Sequence, residues 1–207
     1  MKVSSLNRKV NLSIVAVMIA TIMTLSTTSC NQNTQAKQSQ TAVQSLASVT
    51  ITDQEVSDAQ KAWGEGIVKI GKVYLDKGDY KTAALNFINK YYDYQHGPVL
   101  FKPTLVSQKQ FRTDLQGALS YFVAGNDNYP EDHGFAIKPW SSVRFENIGT
   151  KIIGNMAVAM GNYYFTPVNG GDEVKVEYSF AYTKDNNGKL RIILHDSHLP
   201  YTPAAKH

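Results

Sequence analysis

The hydrophobic rhythm of this chain changes once inside its folded part. From Thr52 to Phe122 apolar side chains recur every three or four positions, which stacks them on one face of an α-helix; from Val143 onward they alternate, as on a half-buried strand. In the first stretch Val56, Ala59, Trp63, Ile67, Ile70 and Tyr74 line one helix, opened by Thr52 and Glu55 at capping-box spacing. Gly64, Gly66 and Gly71 fall inside it, and the poor helix propensity of glycine predicts a bend or break there. Lys77 to Asp79 makes a turn, Asp79 caps a second helix, and Ala83, Phe87 and Tyr91 form its stripe. Beyond the segment VLFKPT, Val99 to Thr104, a second capping box at Ser107 and Gln110 predicts a third helix. Phe111, Leu115, Ala118 and Phe122 would share one side of it, with Tyr121 near the edge.

The alternating half reads as four strands, Val143 to Ile148, Asn155 to Phe165, Val174 to Tyr182 and Leu190 to Leu199. Gly149, Asn169-Gly170-Gly171 and Asp185 to Gly188 separate them. In the third, Val174, Val176, Tyr178, Phe180 and Tyr182 face one way while Lys175, Glu177 and Ser179 face the other, so the sheet has one buried face. Helices first and an antiparallel meander after define an α+β layout in which the helices cover a curved sheet, a cone whose interior is the usual place for a ligand. On the last strand the alternation puts His195 and Ser197 on one face and Asp196 and His198 on the other. A base and a hydroxyl are therefore neighbours, unless this is only a strand end fraying into solvent. The run Gly125 to Pro130, followed by Glu131, Asp132 and His133, reads as a solvated turn.

The amino terminus changes how the charge should be read. Lys2, Arg8 and Lys9 precede an apolar run from Val10 to Leu25, then small residues and Cys30, the arrangement of a secretory signal over residues 1–29. Of the 21 basic side chains three lie in that leader and none of the 17 acidic ones does, so the remainder carries a net charge of only +1. A nearly neutral protein has no electrostatic footprint for nucleic acid. Cys30, the single cysteine, excludes an internal disulfide. It sits where bacterial lipoproteins carry their lipidated cysteine, although Thr27 occupies the position at which that motif has an aliphatic residue; cleavage by an ordinary signal peptidase or an uncleaved anchor are the alternatives. Residues 30–51, rich in Gln, Ser and Thr, read as a tether; 52–201 form the domain and 202–207 a tail. The expected location is the periplasm, with the membrane reached only through the lipid.

Standard catalytic signatures are absent from the sequence: no glycine-rich phosphate loop, no H-E-x-x-H, no G-x-S-x-G and no cysteine pair for zinc. His195 and His198, three apart on a strand, point to opposite faces and suit one metal poorly. Three segments go further: VLFKPT, GALSYFVAGNDNYPEDHGFAIKPW and KVEYSFAYTKDNNGKLRIILHDSHLPY. In this order and spacing the chain resembles the iota-class carbonic anhydrases, whose domain is similar to the association domain of calcium/calmodulin-dependent protein kinase II within the nuclear transport factor 2-like superfamily. The resemblance spans roughly Trp63 to Tyr201. It implies a homodimeric α+β cone that interconverts carbon dioxide and bicarbonate, without a metal in some members and with zinc or manganese in others. Residue by residue it places the pocket hydroxyls at Thr104, Tyr121 and Ser197, as catalytic and substrate-binding groups, with His195 beside them. The family's terminal H-H-S-S reads H-D-S-H here, and both changes, Asp196 and His198, fall on the face away from the pocket.

The chemistry requires a water to lose a proton as it attacks carbon. Without a metal, hydroxyls must orient the water and donate to the growing negative charge, and His195 is expected to ferry the proton. Two other readings remain. One is acid–base chemistry on a small apolar ligand, as in SnoaL-like cyclases and ketosteroid isomerases, which needs a carboxylate in the pocket. The other is a non-catalytic ligand-binding or assembly module.

Overall fold

The computed structural model describes residues 50–204; the leader, Cys30 and the tether up to Val49 lie outside them. Helix α1 (Asp53–Leu75) opens on the expected capping box, with the Glu55 amide donating to Thr52 Oγ1 at 3.2 Å and the Thr52 amide to Glu55 Oε2 at 2.9 Å. It runs unbroken for 23 residues, so the expected bend at its glycines does not occur. The glycines serve close approach: a Cβ on Gly66 would lie 2.5 Å from the Phe87 ring of α2 (Tyr80–Tyr91), and one on Gly64 would lie 3.0 Å from Val143 Cβ. Tertiary packing on two sides outweighs the ~1 kcal/mol propensity cost of each glycine.

The third helix departs from expectation in its start. Helix α3 (Leu115–Val123) is capped by Asp114, whose carboxylate accepts from the Gly117 amide at 2.8 Å. Ser107 is not a cap. Its amide and hydroxyl are donated to Glu131, at 2.7 and 3.0 Å, so a contact 24 residues away overrides the local capping signal. Phe111, assigned to the helix stripe, is consequently 67% exposed.

Strands β2 (Trp140–Ile153), β3 (Met156–Pro167), β4 (Val174–Lys184) and β5 (Leu190–His198) form the expected antiparallel meander. The segment VLFKPT adds an edge strand the alternation does not show, β1 (Leu100–Lys102), parallel to β5, giving the order β1-β5-β4-β3-β2. Gly149 lies inside β2 beside a bulge and does not end it; the turn is at Gly154, whose φ of 60° explains the glycine. The sheet is curved and unclosed, and α1 lies on its inner face. There the Gln60 and Asn147 side-chain amides exchange hydrogen bonds at 2.9 and 2.8 Å, with the Tyr178 hydroxyl also on Asn147. Trp63 fills the centre, with Phe87, Phe145, Tyr163, Phe165 and Phe180 all within 6.4 Å between ring centroids. Among the described residues no helix is long and apolar enough to cross a membrane.

Candidate active site

Strand β5 presents its two faces as the alternation requires. His195 and Ser197 are buried at 3% and 1% exposure on the inner face. Asp196 and His198 point the other way and bond to each other at 2.8 Å, with the Lys102 ammonium 3.2 Å from the second nitrogen of His198. Parallel pairing of Phe101 with His195 carries the chain beyond β1 alongside the end of β5, where Thr104 Oγ1 lies 2.8 Å from Ser197 Oγ. From α3, the buried Tyr121 hydroxyl stands beside the Thr104 hydroxyl and the Leu105 backbone, yet it has no hydrogen-bond partner of good geometry among the described residues. Thr104, Tyr121 and Ser197 thus converge from three separate elements.

His195 differs from its expected role. Its Nδ1 is 2.9 Å from the Tyr92 hydroxyl and its Nε2 is 3.3 Å from the Tyr163 hydroxyl, while Phe101 stacks on the ring at 4.7 Å and Phe180 packs at 4.2 Å. Burial pushes its pKa well below the usual imidazole value, because a cation in this aromatic enclosure loses its hydration without gaining a carboxylate. The ring is therefore neutral and engaged at both nitrogens, not a free proton ferry. Burial also raises the pKa of Tyr92, Tyr121 and Tyr163, so all three hydroxyls stay protonated. Tyr163 hydrogen-bonds His195 and lies beside the Ser197 and Thr104 hydroxyls, which temper the rise in its own pKa.

Sequence reasoning missed Tyr92 and Tyr163. Tyr163 was legible, since Ala157, Ala159, Tyr163 and Phe165 alternate on the buried face of β3; Tyr92 sits one residue past the α2 stripe and gives no periodic signal.

The segment read as a solvated turn holds the Thr104 loop in place. Glu131 accepts the amides of Ser107, Gln108 and Lys109 at 2.7, 3.0 and 2.8 Å, and these bonds, with that of the Ser107 hydroxyl, hold its carboxyl down at about 2. Asp132 pairs with Arg112 at 2.8 Å with both side chains fully buried. Arg112 in turn donates its amide to the Phe101 carbonyl at 2.7 Å and accepts the Tyr94 hydroxyl on its own carbonyl at 2.7 Å. The loop from Thr104 to Asp114 is thereby fastened at both the Glu131 and the Arg112 ends. Beside it a cavity of about 310 Å³ opens, lined by Leu105, Tyr121, His133, Phe135 and Lys138 among others. A cleft of about 400 Å³ between α1 and α2 contains none of the hydroxyl residues.

Three hydroxyls inside aromatic walls, with no charged group on the inner face of β5, suit a small ligand that is neutral in one form and carries a weak oxyanion in the other. Among the described residues no three His, Cys, Asp or Glu side chains are placed to hold a metal. The sequence model of the metal-independent carbonic anhydrases matches residues 54–199, and the chain belongs to that family. A metal-independent carbonic anhydrase of Nostoc sp. strain PCC 7120 is 47% identical over 154 residues, covering 73% of this chain and 75% of that protein. The crystal structure of an iota-carbonic anhydrase from a cyanobacterium, complexed with bicarbonate, superposes with a TM-score of 0.73 at 46% identity, covering 75% of this chain and 96% of that one. A nuclear transport factor 2-like protein from Salmonella enterica aligns with a TM-score of 0.46 at 16% identity.

Proposed function

We propose that this chain interconverts carbon dioxide and bicarbonate without a metal, using Thr104, Tyr121 and Ser197. The observation that carries it is the Thr104–Ser197 hydroxyl pair beneath a Tyr121 hydroxyl that is buried and unpartnered. In hydration an oxygen–carbon bond forms, one carbon–oxygen π pair moves onto oxygen, and the attacking water gives up a proton. The Tyr121 hydroxyl, held protonated, donates to the growing charge, and in a site walled by aromatic rings such a bond is stronger than in water. Thr104 and Ser197, able to donate and accept, orient the water. The proton passes to solvent water in the cavity beside Tyr121, since His195 resists becoming a cation.

Membership of a metal-independent family and the bicarbonate complex of the cyanobacterial relative support this reading. The acid–base alternative needs a pocket carboxylate, and the buried Asp132 is committed to Arg112. Stopped-flow hydration of carbon dioxide tests the proposal: activity retained after dialysis against a chelator is expected, and loss on chelation restored by zinc or manganese would overturn it.

The leader and tether support a lipid on Cys30 that holds the domain in the periplasm, and mass spectrometry of the mature amino terminus checks it. Val158 and Met160, exposed on the outer side of β3, supply an apolar face for a second copy, and light scattering of the domain distinguishes the expected homodimer from a monomer.

A further inference from the structure

The buried groups behind the hydroxyl pair form one chain: Trp63 Nε1 is 3.0 Å from the Tyr92 hydroxyl, which is 2.9 Å from His195 Nδ1. His195 Nε2 is 3.3 Å from the Tyr163 hydroxyl, and that hydroxyl lies beside the hydroxyls of Ser197 and Thr104. An indole nitrogen can only donate, whereas each hydroxyl has one proton to give and a neutral imidazole has one N–H and one lone pair. Tyr92 therefore accepts from Trp63. Its own proton, fully buried, has His195 Nδ1 as its acceptor; were Nδ1 protonated instead, the Tyr92 proton would be left without one, a costly state in a dry interior. The proton of His195 must then sit on Nε2 and be donated to Tyr163, which turns the Tyr163 proton toward Ser197 and Thr104.

We propose that Trp63 sets the direction of this chain, so that Trp63, Tyr92 and His195 are positioning residues that deliver one donor to the Thr104–Ser197 pair. With Tyr163 donating to the pair and one hydroxyl of the pair donating to the other, one hydroxyl proton of the pair and that of Tyr121 remain for the substrate. Two O–H donors match the oxygens on which negative charge grows; in the reversed chain Tyr163 would give its proton to His195 and accept the pair's spare proton, leaving Tyr121 as the one donor to the substrate. The functional consequence rests on the carbon dioxide–bicarbonate reading, but the direction of the chain does not.

Nitrogen-15 NMR of the folded, histidine-labelled protein reads the tautomer directly. The expected result is a neutral His195 with the proton on Nε2 between about pH 6 and 9; a proton on Nδ1, or an imidazolium in that range, overturns the proposal. Tyr92→Phe removes the relay while keeping the ring. It should convert His195 to a mixture of tautomers and lower kcat for hydration about tenfold with KM little changed. A purely structural role for Tyr92 would lower Tm and leave tautomer and kcat as they were, and that outcome also counts against the proposal. Tyr163→Phe should reproduce the loss of kcat while leaving the tautomer on Nε2, because the Trp63–Tyr92 end still sets it. If the unaltered protein shows the Nε2 tautomer yet does not hydrate carbon dioxide, the assigned reaction fails and the directed chain stands.

Discussion

Strand β5 carries a histidine and an oxygen-bearing partner on each of its faces, and the two sets behave differently. On the inner face His195 and Ser197 are sealed among aromatic rings, and burial forbids charge on the imidazole. On the outer face His198 and Asp196 are each roughly half exposed, at 52% and 40% of their side-chain surface, and bond to each other, with Lys102 on the other nitrogen of His198. The same residue types become hydrogen-bond directors in one setting and a screened surface cluster in the other. The proposed chemistry on a neutral gas is assigned to the dry face, where donors can be held without competition from solvent.

The largest expected effect tests what supports the dry face from outside it. Asp132→Asn removes the nearer of two carboxylates from the buried Arg112 guanidinium, leaving only Glu131 at 3.7 Å, which should cost roughly 3 kcal/mol and loosen the loop bearing Thr104; chemical denaturation measures it. Next come the hydroxyls themselves. Ser197→Ala, Thr104→Val and Tyr121→Phe should each lower hydration by about 10²-fold, with folding checked by circular dichroism. Retention of activity by the Ser197 variant would break the comparison at its centre.

A smaller effect concerns Glu131. Its carboxyl titrates at about 2 in the fold against a usual 4.5, so its stabilising contribution is complete above 4.5 and is lost as pH falls toward about 2. Acid titration of stability should therefore be shallower in Glu131→Gln than in the parent between those values. The smallest effect belongs to the wet face: Asp196→Asn and His198→Ser should change hydration by less than about threefold, since exposed pairs contribute little. A large loss in either would place part of the reaction on the outer face and invert the assignment.

Period-two alternation alone separated His195 and Ser197 from Asp196 and His198, and the family resemblance picked out Thr104 and Tyr121; the structure brings these hydroxyls together. Local patterns failed wherever a distant partner competed. Ser107 and Gln110 spell a capping box, but Glu131 takes the Ser107 amide and hydroxyl, so the helix waits for Asp114. Glu131 and Asp132 resemble a solvated turn because nothing nearby in the chain reveals that Arg112 and three loop amides lie against them.

Which side chains alternate, where the helices and strands of the domain run, and which hydroxyl residues belong to the family motif are properties of neighbours in the chain, and the amino-acid order contains them. The state of His195 is of another kind. Tyr92 and Tyr163, 103 and 32 residues away, occupy its two nitrogens, and rings from β1 and β4 exclude the water that would stabilise its charge. Desolvation and hydrogen-bond direction arise only when those separate segments pack together, so folding, and not the local sequence, makes this histidine a neutral director of protons.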